Sequence, residues 1–297
     1  MSEELYLHIL SKIQQFERPE RQALSSRFPL LKRPILTVRR LLRRSQNQLQ
    51  PIARKHSADY FSSVVVRHQS LLLRQLGDAD MRLQRQKITN LRLAAAELDG
   101  LVIKPGEIFS LWETIGKPSS SRGYVPGMLL SNGKVIEGVG GGLCQMANLL
   151  YWMFLHCEVE VIERYHHSRD VFPDSGRVLP FGSGATILYN FVDLKIKNTS
   201  DQPIQLKIWL TDKHLKGQIV SEKPFRSKFH ITERNHYFVQ RGEQYFRFNE
   251  LWREEFIEGK LVWDERVTTN FAPALYEVNQ EYLRKHNFET IDFLEEK

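Results

Sequence analysis

The feature that most constrains folding is an uncharged run, Leu143 to Cys157, entered directly from Gly140-Gly141-Gly142. The run is rich in good helix formers and carries no Asp, Glu, Lys or Arg. A helix without a charged face belongs in an interior. It falls short of the ~20 residues a membrane-spanning helix needs, and it contains Gln145, Asn148 and His156. The expectation is a helix buried in a globular core.

Such a helix needs a partner, and Ala185 to Val220 offers one. Ile187, Tyr189 and Phe191 alternate, as do Leu194 and Ile196. Ile204, Leu206, Ile208 and Leu210 follow, then Leu215, Gly217 and Ile219. Turn residues Asn198 to Pro203 and Thr211 to Lys213 separate the runs, which predicts a three-stranded antiparallel meander. The expected fold class is α+β, one buried helix packed on an antiparallel sheet, with a papain-like or transglutaminase-like arrangement as one version. At 41% hydrophobic and 11% aromatic residues, the 297-residue chain can fill such a core, which excludes a disordered or collagen-like protein.

The first third has a different texture. Leu5, Ile9 and Ile13 repeat at helical spacing, as do Leu36, Leu41 and Leu42, and a further helix is expected from Gln84 to Leu98, ended by Asp99-Gly100. Residues 101–142 hold nine of the 17 glycines and read as loops and short strands. The expected division is a basic helical region 1–99, a core domain 100–225 and a C-terminal extension 226–297 packed on the core.

Net charge is +7, unevenly spread. Residues 1–100 carry 18 basic and 9 acidic side chains, and the remainder 24 and 26. Eight basic residues (Lys32, Arg33, Arg39, Arg40, Arg43, Arg44, Arg54, Lys55) stand without an acidic one, with Pro34 placed to open a helix. The pattern is that of a basic amphipathic helix for an anionic membrane surface, or of an ordinary solvated face. Nucleic acid is the weaker partner, because no base-reading motif accompanies the charge. The start, Met-Ser-Glu-Glu, shows no secretory signal, so the expected location is cytoplasmic, peripheral at the inner face of the membrane.

Two cysteines, Cys144 and Cys157, exclude a disulfide framework and a four-cysteine zinc site. Cys144 falls where the glycines meet the helix. There the helix dipole and unsatisfied N–H groups favour a thiolate and could steady an oxyanion. A nucleophilic cysteine needs a base and an orienting group. His166 and His167 follow, after a strand-like stretch from Glu158 to Ile162, and Asp193 or Asp170 could orient either ring. The candidate triad is Cys144, His167 and Asp193, with Gln145 as oxyanion donor. Gly140, Gly141, Gly142, Arg164 and Ser168 are candidate binding residues. The alternative is a glycine turn that packs, or that holds an anion without turnover, beside a merely buried cysteine. No metal or cofactor is expected: the Cys, His and Asp spacing matches no zinc pattern, and Gly138 to Gly142 lacks the continuation of a phosphate loop.

Several short motifs occur together. They are Pro105-Gly106-Glu107-Ile108-Phe109-Ser110, Arg122-Gly123-Tyr124, Gly140 to Gln145, Glu163-Arg164 with His167-Ser168, and Asp193-Leu194. As a set they resemble the VanW family, from about Leu91 to Val220. Phe172 to Arg177 and Pro180 to Thr186 are similar to one subgroup of it. Many members carry Ser-Thr-Thr soon after the Cys-Gln pair, where this chain has Met146-Ala147-Asn148-Leu149-Leu150. The resemblance implies a link to bacterial cell-wall biology or glycopeptide resistance. It also marks Arg164, His167, Ser168 and Asp193 as motif positions. The substrate it suggests is a peptide or cell-wall precursor, met either by a Cys-His dependent amide-hydrolysing or acyl-transfer enzyme or by a non-catalytic binding module for an anionic precursor.

Overall fold

Helical spacing in the first fifty residues is realised as helices in the computed structural model of the chain. The structure describes residues 3–17, 29–74, 80–131, 134–166, 169–171, 173 and 178–293, in two units, Met1–Leu49 and Gln50–Lys297. The first unit holds α1 (Glu3–Glu17), which buries Leu5, Ile9 and Ile13 one turn apart, and α2 (Pro29–Gln48). Pro29 takes the opening position of α2, so Pro34, expected there, lies inside the helix instead. Six of the eight basic residues fall on α2. Arg54 and Lys55 lie beyond it, and Arg54 pairs with Glu113 at 3.5 Å. Among the described residues no helix is long and apolar enough to cross a membrane.

The second unit runs β1 (Lys55–His56), β2 (Ser63–Leu71), α3 (Met81–Leu98), β3 (Leu101–Ile103), β4 (Ile108–Ser110), α4 (Leu111–Ile115), β5 (Pro126–Ser131), β6 (Lys134–Val139) and α5 (Cys144–Phe154). It continues through β7 (Val159–Glu163), β8 (Lys195–Asn198), β9 (Ile204–Leu210), β10 (His214–Ser221), β11 (Ser227–Arg241), β12 (Gln244–Ile257), β13 (Lys260–Pro273), α6 (Gln280–His286) and β14 (Glu289–Asp292). The fold is α+β. A five-stranded sheet runs β1-β3-β9-β10-β2, a three-stranded one β4-β8-β7, and β5 and β6 form a hairpin. The C-terminal sheet runs β13-β12-β11-β14, with β14 parallel to β11.

The uncharged run becomes α5, and it packs on β10 and β2. Gly217 on β10 makes the room: a Cβ there would stand 2.6 Å from Met153 Cε and 3.0 Å from Leu149 Cδ2. Register places Gly217 opposite Ile208 and Ile219 opposite Leu206, so one face of the hairpin is apolar and closes on the helix. Fully burying each large side chain there contributes about 1.5–3 kcal/mol. Helix α3 packs on β9 and β5. Its N-terminus is capped by Asp80, which accepts from Arg82 N at 2.7 Å. At its C-terminus Gly100 takes a left-handed φ of 79°.

Two expectations change. The segment read as wholly helical before residue 100 contains β2, whose Val64-Val65-Val66 are β-branched and fit a pleated surface better than a helix. The meander loses its first strand. Residues 185–194 make only isolated bridges, and β8 alone extends, pairing with β4 and β7 in another sheet. The β9–β10 hairpin is flanked instead by β3 and β2.

Candidate functional site

The glycine turn joins the β5–β6 hairpin to α5, and its backbone dictates its residues. Gly140 and Gly142 have φ of 81° and 92°, where a side chain is strained. Gly141 lies against Gly127, so closely that a Cβ on Gly141 would sit 2.1 Å from the Gly127 carbonyl carbon. Asn90 of α3 fastens the turn. Its Nδ2 donates to Gly141 O at 2.9 Å and to Val125 O at 3.0 Å, while its Oδ1 accepts from Val125 N at 2.9 Å. The three candidate binding amides are engaged: Gly140 N donates to Val125 O, Gly141 N to Gly138 O and Gly142 N to Met128 O.

Cys144 opens α5, as the sequence predicts, and is partly exposed. Desolvation of its sulfur pushes the thiol pKa up, not down, against the smaller opposing influence of the backbone at Ile187 and at Cys144 itself. Gln145 Nε2 donates to Ser70 Oγ and to Leu71 O, both at 2.8 Å. Cys144, Asn148 and Tyr151 form one helical stripe, covered by the segment from Gly182 to Ile187. Asn148 Oδ1 accepts from Ala185 N at 2.8 Å, and a Cβ on Gly184 would meet that same oxygen at 2.6 Å.

Arg164 straps this cover down. Its Nε donates to Gly184 O at 2.9 Å, Nη1 to Thr268 Oγ1 at 3.3 Å, and Nη2 to Gly182 O. The guanidinium lies 4.8 Å from the centre of the Tyr151 ring, and burial lowers its pKa. From the C-terminal sheet, Asn249 and Asn270 donate to Phe181 O at 2.9 and 3.2 Å and seat the start of the cover. Arg164 thus faces the protein's own carbonyls.

The remaining candidates are placed differently. His167 and Ser168 lie outside the described residues, and His166 is exposed. Asp193 is buried and accepts from Ser110 Oγ at 2.6 Å, Trp112 N at 3.1 Å and Leu194 N at 2.8 Å, so it ties β8 to the start of α4. Burial raises its pKa to about 6 against those hydrogen bonds, with Glu163 adding to the rise. Asp170 pairs with Arg247 at 3.4 Å and accepts from Tyr276 at 2.9 Å. Among the described residues no three His, Cys, Asp or Glu side chains gather as metal ligands.

A family model described as VanW like protein matches residues 86–220. The vancomycin B-type resistance protein VanW of Enterococcus faecalis (strain ATCC 700802 / V583) is 34% identical over 199 residues, 66% of this chain and 72% of that protein. This chain belongs to the VanW family. The uncharacterized protein YoaR of Bacillus subtilis (strain 168) is 30% identical over 118 residues, 40% of this chain and 37% of that one. No solved structure matches.

The span matched by the VanW model starts inside α3 and ends on β10, so it takes in the turn, α5, the cover and the hairpin beneath them. It also takes in Lys87 and Asn90, which the sequence reading passed over. Both sit on the buried stripe of α3 defined by Leu83, Leu91, Ala94 and Leu98. A lysine and an asparagine inside an apolar helical stripe were the available signal, since buried polar groups occur where something binds them.

Proposed function

We propose that this VanW-family chain serves bacterial cell-wall metabolism or glycopeptide resistance as a binding module for an anionic wall precursor, without covalent turnover at Cys144. The resistance link rests on the name carried by its Enterococcus relative. The observation that carries the choice of binding over catalysis is the setting of Cys144 at the covered start of α5, where burial of the sulfur holds the thiol above its ordinary pKa. Alkylation of Cys144, followed by peptide mass spectrometry across pH, tests it. The expected rate rises only above the free-cysteine value of about 8.5. A thiolate persisting well below that value supports the second reading.

That reading is a cysteine-dependent hydrolase or acyltransferase, with Cys144 as nucleophile, His167 as base, Asp193 as orienting group and Gln145 as oxyanion donor. The observation in its favour is that Cys144 is the first residue of α5, where the backbone of Ile187 and of the helix start favours the thiolate. Helix α2 adds a location. Val38, Leu41 and Leu42 are 55%, 59% and 58% exposed on a helix that also carries Lys32, Arg33, Arg39, Arg40, Arg43 and Arg44. Apolar residues beside that charge suit an anionic membrane surface, each basic residue adding on the order of 1 kcal/mol. The full chain is expected to sediment with vesicles containing phosphatidylglycerol and not with phosphatidylcholine vesicles. Equal sedimentation with both, or with neither, contradicts this.

A further inference from the structure

Lys87 is 5% exposed. Its stem runs along the glycine turn: a Cβ on Gly142 would stand 2.4 Å from Lys87 Cβ and 3.0 Å from its Cδ. Among the described residues its amine has neither a hydrogen-bond acceptor nor a carboxylate partner. A buried cation without a counter-ion is costly and rarely kept. The nearby charge is of the same sign, Arg74, and desolvation together with Arg74 lowers the Lys87 pKa to about 8. Two buried acceptors around the same turn also lack donors. Gln84 is fully buried, with Nε2 3.8 Å from Met128 Sδ and Oε1 unpartnered. Gln145 Oε1 is unpartnered and buried, while its amide nitrogen is held by Ser70 and Leu71. Gly142 N donates to Met128 O and Gly142 O accepts from Gln145 N, so the backbone beside the Lys87 stem also carries Gln145 and the Met128 against which Gln84 lies.

The complement of an unpaired ammonium and two unpaired amide oxygens is an anionic oxygen group with N–H donors beside it. We propose that the carboxy terminus of a peptide docks at the glycine turn, its carboxylate on Lys87 and its last amide N–H groups on Gln84 and Gln145. This deepens the binding reading and rests on it. Cys144 has no part in it. Lys87 is a binding residue retained for its ligand, at the expense of the empty fold.

The test uses the full chain and two probes, N-acetyl-alanyl-alanine and its carboxy-terminal amide, followed by amide NMR shifts of Gly142 and its neighbours. The free acid is expected to give saturable shifts, the neutral amide at least tenfold weaker binding, and Lys87→Met the same tenfold loss with the acid. Lys87→Arg should keep part of the affinity. Thermal unfolding adds a readout that a structural role would not give: Lys87→Met raises Tm by roughly 2–4 °C, because the unpaired buried charge is gone. Equal binding of acid and amide, full affinity in Lys87→Met, a fall in its Tm, or no shift with either probe overturns the assignment. Inorganic phosphate binding where the dipeptide acid does not would also overturn it, by moving the site to a phosphate ligand. The binding reading fails separately, if a complete wall precursor is not held by the chain at all; full precursor affinity in Lys87→Met would leave that reading intact and remove only Lys87.

Discussion

Asn90 satisfies three backbone groups with one side chain; Val125 O keeps Gly140 N as a second partner, while Val125 N and Gly141 O would lose the bond Asn90 supplies. Asn90→Ala should cost about 2–4 kcal/mol, seen as a lower denaturant midpoint with an unchanged slope. Asp193 gives a pH signature. Its folded pKa of about 6 lies above the ~3.9 of an unfolded aspartate, so the folded state holds that proton more tightly. The stability this contributes is present below about pH 4 and is lost as pH rises through about 6. Relative to Asp193→Asn, the natural chain should therefore lose up to roughly 3 kcal/mol between those values, and denaturant midpoints at pH 4 and pH 6.5 check it. Part of the site was legible at this scale. Glycines running into uncharged residues placed Cys144 at a helix start. What Arg164 touches was not legible, because its partners are the carbonyls of Gly182 and Gly184 and a side chain 104 residues away. A one-dimensional pattern carries no such distance, and an arginine in a motif reads equally well as a ligand group or a strap.

Helix α5 was legible because a long uncharged run has few other places to go, and the β9–β10 hairpin because its alternation keeps one face apolar. Helix α3 was legible from its stripe and its Asp-Gly ending. Strand β2 was not, since its exposed residues and its partner β10 lie far along the chain, and burial on one face only is a weak signal there. Residues 185–194 misled for a physical reason: they alternate because Ala185 and Ile187 turn into the core and Tyr189 meets Trp112, without forming a ladder. Two element-scale outcomes follow. Gly217→Val drives a side chain into Met153 and Leu149 and should cost about 1–3 kcal/mol, with α5 losing order first. Arg164→Met should leave β9 and β10 protected while the amides of Ala185 and Thr186, bonded to Asn148 and Tyr165, exchange faster with deuterium. Uniformly faster exchange would show that Arg164 supports the whole unit and not the cover.

The molecule combines a basic helical unit with a body whose principal core begins at Ala53 and closes around α3, α5 and the five-stranded sheet. Because no described residue before Gln50 belongs to that core, a chain lacking residues 1–49 should unfold at about the same temperature and lose attachment to anionic vesicles. A large fall in Tm would contradict this. The C-terminal sheet was the least legible part of the chain. Arg247, Glu250 and Arg253 are buried on β12, so charge falls where an apolar residue would announce a strand. Their pairing explains the texture: Glu250 binds Arg266 at 2.8 Å, and Arg253 lies 3.9 Å from the centre of the Phe229 ring. The central claim, that the family's glycine turn and cysteine helix build a place to bind and not to react, is tested most directly on the intact chain with UDP-N-acetylmuramyl-pentapeptide. Calorimetry and mass spectrometry of the same mixture should show saturable binding, an unchanged precursor mass after prolonged incubation, and affinity within about threefold in Cys144→Ala. A cleaved or transferred product that disappears in Cys144→Ala would contradict the account.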